Sequence, residues 1–161
     1  MNYYTIGYYG FFAILLAGAI WCMYQISAAD WRRRIIPDAF LFPLLIAGLI
    51  ITAFFPWTHD IRNAVMGAAF GYTLAATVGF AFDYFIRKKN PDAMAPIGMG
   101  DIKLIATGGI WLGTTGLAWA LVMACLIGGL WGYKKKQKYI PFAPFFIIGG
   151  ILSFLGIVFL L

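Results

Sequence analysis

Charge is scarce in this chain. Lys, Arg, Asp and Glu together make up 11% of its 161 residues, while 63% are hydrophobic. Soluble domains carry roughly 25% charged residues, so a soluble globular domain is excluded. Histidine occurs once, at His59, between Thr58 and Asp60 in a short polar break. With no second ligand beside it, neither a metal nor a cofactor is expected. Cys22 and Cys125 lie in separate apolar runs, and no CxxC pair exists. That excludes a zinc site of that type and reads both thiols as small buried hydrophobes. Residues 1–5 contain no Lys or Arg, so no cleaved secretory signal is expected. The two halves share no motif, which argues against an internal repeat. The net charge is +6, but the basic residues sit in short clusters between apolar runs. Anionic lipid headgroups, rather than nucleic acid, are the partner this pattern suggests.

What the chain does have is apolar length. Apolar runs cover about residues 6–29, 39–57, 63–86 (with Asp83 near its end) and 140–161, and no charge occurs from 104 to 133. A bilayer core is spanned by about 20 helical residues. The last of those runs, taken as one helix, would be about 45 Å long. It would also place Arg87-Lys88-Lys89 and Lys134-Lys135-Lys136 on opposite sides of the membrane. Two helices, about 100–112 and 115–133, resolve both conflicts, with a turn at Leu112-Gly113-Thr114-Thr115-Gly116. The expectation is an all-α bundle of six transmembrane helices in a single domain, residues 1–161. Eleven of the twelve Lys and Arg residues then face one side, and only Arg62 does not. That side is the cytoplasm, and both termini lie outside it. Pro37 suits a first helical turn. Gly67 and Gly71, and Gly149-Gly150, allow close helix packing. Asn90 to Pro96 reads as a loop. Trp31, Trp57, Trp111, Trp131 and Tyr133 read as an interfacial belt.

Against this apolar background, two acids stand out. Asp101 lies in Gly98-Met99-Gly100-Asp101-Ile102-Lys103, at the mouth of the fourth expected helix. Asp30 closes the first. Intramembrane carboxylates are costly and usually functional. By the predicted topology both lie at the cytoplasmic face. Two carboxylates held a few ångströms apart share a proton. One can then act as general base on a water while the other acts as general acid. Simpler readings stand beside this one. Asp30 could pair with Arg33 or Arg34, and Asp101 could cap its helix. Asp83, near the end of the third helix, is expected to be non-catalytic.

The flanking residues favour chemistry. Asp30-Trp31-Arg32-Arg33-Arg34-Ile35-Ile36-Pro37-Asp38, Gly98-Met99-Gly100-Asp101-Ile102-Lys103-Leu104 and Ile140-Pro141-Phe142-Ala143-Pro144-Phe145 occur in this order. Together they resemble the type IV prepilin peptidases, membrane aspartic proteases of the GxGD class. The likeness covers nearly the whole chain. It departs from the family pattern at Asp38, where Asn is usual, and at Ala143, where Gly is frequent. The resemblance implies that Asp30 and Asp101 are the catalytic pair, acting without metal. It implies a substrate of type IV prepilin or pseudopilin type, cut after a Gly between a short basic leader and an apolar helix. It also implies an inner-membrane location. Long members carry an N-terminal domain tied to N-methylation, and the chain resembles the short, peptidase-only form.

Gly98, Gly100, Lys103, Arg32 and Pro37 are expected to bind substrate or support the site. The glycines would allow backbone approach, Lys103 would act structurally or meet lipid phosphate, and Arg32 to Arg34 would anchor at headgroups. The alternative is a small ion- or proton-coupled transporter using the same acids. A non-catalytic pilus subunit would tolerate Asn at both positions. A presenilin-like enzyme is disfavoured because Asp30 follows Ala28-Ala29 at a helix end.

Overall fold

The computed structural model describes residues 3–89, 97–137 and 140–160. The expected loop at 90–96 lies outside them. The secondary structure of the described residues is helical: α1 Tyr3–Arg33, α2 Asp38–Phe54, α3 Ile61–Lys89, α4 Met99–Lys135 and α5 Phe142–Leu160, joined by short connections. Four of these are long and apolar enough to cross a bilayer, and α2 is shorter. The chain is a multi-pass helical membrane protein.

Five helices are found among the described residues where six are expected, and the difference lies at one glycine that interrupts α4. Gly113 has φ 66° and ψ −175° inside α4. That region is open essentially to glycine alone. The chain reverses there. A Cβ placed on Gly71 of α3 would meet Leu117 Cδ2 at 2.7 Å and Ile105 Cγ2 at 3.1 Å. In a straight helix residues 105 and 117 would stand about 18 Å apart. Asn63 secures the turn: its Oδ1 accepts from Thr114 N–H at 3.1 Å and from Thr114 Oγ1 at 3.0 Å. Asn63 is itself placed by Asp60, whose Oδ1 accepts the Asn63 N–H at 3.0 Å. An aspartate just before Ile61 thus caps α3 in the usual way.

Glycine contacts set the packing. Gly67 of α3 and Gly109 of α4 lie backbone against backbone, and a Cβ on either would run into the other's main chain. On α5, a Cβ at Gly149 would lie 2.5 Å from the Ala120 carbonyl oxygen. The small-residue spacing on α3 and Gly149 on α5 therefore allow the close packing that the sequence suggests, whereas Gly150 makes only an ordinary contact, 3.5 Å to Leu112 Cδ1. Ile26, Leu41, Ile51 and Leu117 are fully buried in the core between them.

The bundle has two distinct ends. At one, Tyr8 donates to the Phe54 carbonyl at 2.9 Å, and the Trp57 ring stacks on Phe154 at 5.1 Å. Trp57 Nε1 donates to the Trp111 carbonyl and Trp111 Nε1 to the Leu44 carbonyl, each at 3.0 Å. These two tryptophans are thus half-buried cross-links between helices rather than members of an outer belt. The Gly113 reversal lies at this end. At the other end Trp31 packs on Trp131 with centroids 5.3 Å apart, and Arg34 Nη2 donates to Gln137 Oε1 at 3.5 Å. There α1 runs on to Arg33, four residues past its expected stop, and Arg34 closes it with φ 55°.

Candidate active site

Asp30 and Asp101 come to the same end of the bundle, the Trp31–Trp131 end, where Gly100 packs against Ile36. Asp30 sits on the last turn of α1 and is only 5% exposed. Its Oδ2 accepts the main-chain N–H of Ala143 at 2.8 Å. Ala143 lies in the first turn of α5, where backbone N–H groups have no partner within their own helix. The carboxylate therefore rests against the positive end of α5. Arg34 lies within electrostatic reach of Asp30. Among the described residues, however, the ion pairs are Arg87–Asp83 and Lys103–Asp38, so no salt bridge engages Asp30.

Asp101 stands in the first turn of α4. It is not the cap residue itself; Gly98 occupies that position. Instead Asp101 Oδ2 accepts the Gly98 N–H at 3.2 Å. The two acids thus lie at two helix N-termini, one at its own and one at a neighbour's. The two carboxylates come from residues 71 positions apart in sequence.

The supporting residues divide. Gly98 has φ −76°, so its backbone needs no glycine. A Cβ there would, however, lie 3.3 Å from Asp101 Oδ2. Gly100 is required by contact: a Cβ would lie 2.9 Å from Ile36 Cβ. Pro37 precedes α2 as its cap, one residue earlier than expected, and its carbonyl accepts from Phe40 and Leu41, both at 3.2 Å. Arg32 is exposed on the last turn of α1. Lys103 Nζ binds both carboxylate oxygens of Asp38, at 2.7 and 3.0 Å. Asp83 is engaged by Arg87 one turn on, at 2.8 Å. The Ala143 donor and the Lys103–Asp38 pair are absent from the sequence reading. Only the departure from Asn at residue 38 hinted at the second, and no local pattern marks the first.

One turn beyond Asp101, and about two turns from Asp30 along α1, an apolar cleft of about 190 Å³ opens between α1, α2, α4 and α5. Met23, Leu104 and Phe146 line its near end, and Trp57 and Phe154 its far end. Cys22 is buried, whereas Cys125 is exposed and lies away from this cleft.

Helices of membrane-crossing length, with two acids brought to one end of their bundle, define a multi-pass membrane protein. Within that class the family is shown by comparison: the chain belongs to the type IV leader peptidase family, whose model matches residues 5–133. It is 33% identical over 145 residues to a prepilin leader peptidase/N-methyltransferase of Burkholderia pseudomallei, covering 86% of this chain and 45% of that protein. Proteins of the same description from Pseudomonas putida and Aeromonas salmonicida are 31% and 29% identical, over 150 and 142 residues. Those alignments cover 89% and 84% of this chain, and 50% and 46% of the two relatives. The chain thus spans about half the length of the curated relatives it matches. No solved structure matches significantly. Membership of a peptidase family does not favour the transporter reading.

Proposed function

We propose that this protein is a membrane-embedded aspartic endopeptidase that removes the short basic leader of type IV prepilin-like proteins. Asp30 and Asp101 are its catalytic pair. One observation carries this reading: two acids from distant helices share one end of the bundle, each met by a main-chain N–H. In this mechanism the ionised carboxylate takes a proton from water as the oxygen attacks the scissile carbonyl. The protonated carboxyl gives its proton to the carbonyl oxygen. The tetrahedral diol then collapses, the C–N bond breaks, and a proton passes to the leaving amine. The pair ends ready for another water, with no metal and no covalent intermediate.

The topology follows from the same reading. The Gly113 reversal divides α4 into two passes, which makes six. The acids and the basic clusters then face the cytoplasm, both described ends of the chain face away, and the site lies at the inner boundary of the bacterial inner membrane. A substrate whose leader stays in water and whose next residues are apolar suits a site flanked by an apolar cleft. Membrane lipids are the surrounding partner.

The test is incubation of purified protein with a prepilin, reading the new N-terminus by mass spectrometry. A cut directly after the Gly that ends the leader is expected. An intact substrate, or a cut elsewhere, would sink the proposal. A reporter fused after Leu161 should read as non-cytoplasmic, and a cytoplasmic signal would overturn the six-pass topology.

A further inference from the structure

We propose that Lys103 and Asp38 form a positioning pair that fixes the first turn of α4, and with it Asp101, to the short connection that carries Asp30. The proposal rests on the catalytic reading above. Three contacts join these segments. Lys103 Nζ grips both oxygens of Asp38, at 2.7 and 3.0 Å. It also stands 5.9 Å from the centroid of the Phe42 ring. Gly100 admits the Ile36 side chain, which would lie 2.9 Å from any Cβ there. Ile36, Asp38 and Phe42 therefore all meet α4 within one turn of Asp101.

Only residues 34–37 separate α1 from α2. Whatever holds Asp38 therefore also restrains the last turn of α1, where Asp30 sits. Asp30 is itself held by the Ala143 N–H of α5. The pair thus closes a loop of contacts running α5–α1–α2–α4 that sets one carboxylate against the other. Both partners are substantially exposed, with side chains 37% and 48% accessible. Exposed ion pairs add little to global stability. The consequence of losing this one is expected in the geometry of the site, not in folding.

The experiment is a double-variant cycle with a structural readout beside it. Lys103→Met and Asp38→Leu should each lower kcat about 10- to 100-fold with KM within about threefold, since a misplacement near 1 Å can cost about 10²-fold. Asp38→Asn, which keeps one acceptor oxygen for Nζ, should lose less than Asp38→Leu. The double variant Lys103→Met/Asp38→Leu should be no worse than either single change. Losses that multiply, or a rise in KM at unchanged kcat, would overturn the proposal; the latter would make Lys103 a substrate contact.

Independently of cleavage, Ile36→Cys in a background with Cys22→Ala and Cys125→Ala should react slowly with a thiol reagent, since residue 36 is partly buried and packs against Gly100. Adding Lys103→Met should speed that labelling several-fold, and an unchanged rate would refute the clamp even if every cleavage result agreed. Failure of the unaltered protein to cut any prepilin would instead count against the catalytic reading, and leave the labelling result to judge the pair.

Discussion

The main-chain N–H of Ala143 donates to Oδ2 of Asp30 across 113 residues of sequence, at 2.8 Å. Both groups are buried, Asp30 at 5% and Ala143 at 0% exposure. A buried carboxylate without its donor is costly, about 1–3 kcal/mol or more for a charged group. Ala143→Pro deletes that N–H at a position in the first turn of α5, where proline is otherwise tolerated. Leader cleavage by this variant should fall at least tenfold while the protein still elutes as a folded species from detergent. Normal turnover would show that the donor does not matter to the acid.

The reversal at Gly113 makes a prediction about stability. Gly113→Ala forces a side chain into a glycine-only region, at a cost on the order of 1–3 kcal/mol. Asn63→Ala removes the acceptor for Thr114, on the order of 1 kcal/mol for a lost cap. A Cβ on Gly113 would also lie 3.0 Å from Asn63 Nδ2. The two changes should therefore couple, the double variant losing less than the sum of the singles. Thermal unfolding in detergent measures all three, and strict additivity would argue that Asn63 does not shape the turn.

Backbone contact between α3 and α4 is equally testable. Gly67→Val places two methyl groups where the main chain of Gly109 stands. Overpacking of this kind costs typically about 1–3 kcal/mol. A lowered melting temperature is expected. A change at Gly129, where a Cβ would meet nothing within 4 Å, should have almost none. Equal effects at both sites would contradict the packing described.

Much of this architecture is legible in the sequence because hydrophobic length and charge placement are one-dimensional signals. The runs between basic clusters give the helices, and the conflict between a 45 Å apolar run and the bilayer gives the break in α4 (about 1.5 Å per residue). The position of the break within Leu112 to Gly116 is decided by Asn63, a residue 51 positions from Thr114 that no local pattern connects to it. The same limit applies at the site. Asp30 and Asp101 announce themselves as lone acids in apolar surroundings. The groups that meet them do not: Ala143 acts through its backbone, and Lys103 reaches Asp38 over 65 positions. Trp57 and Trp111 misled for a related reason. A tryptophan at the end of an apolar run looks interfacial until a carbonyl from another helix is found for its N–H.

A cleavage assay with one prepilin and four purified proteins bears most directly on the acid pair: the unaltered chain, Asp30→Asn, Asp101→Asn and the double variant. Groups acting as a unit are grossly non-additive. Each single change should therefore abolish turnover, and the double change should do no further harm. Retention of near-normal cleavage by either single variant, with the protein still inserted, would show that the two carboxylates do not split water together.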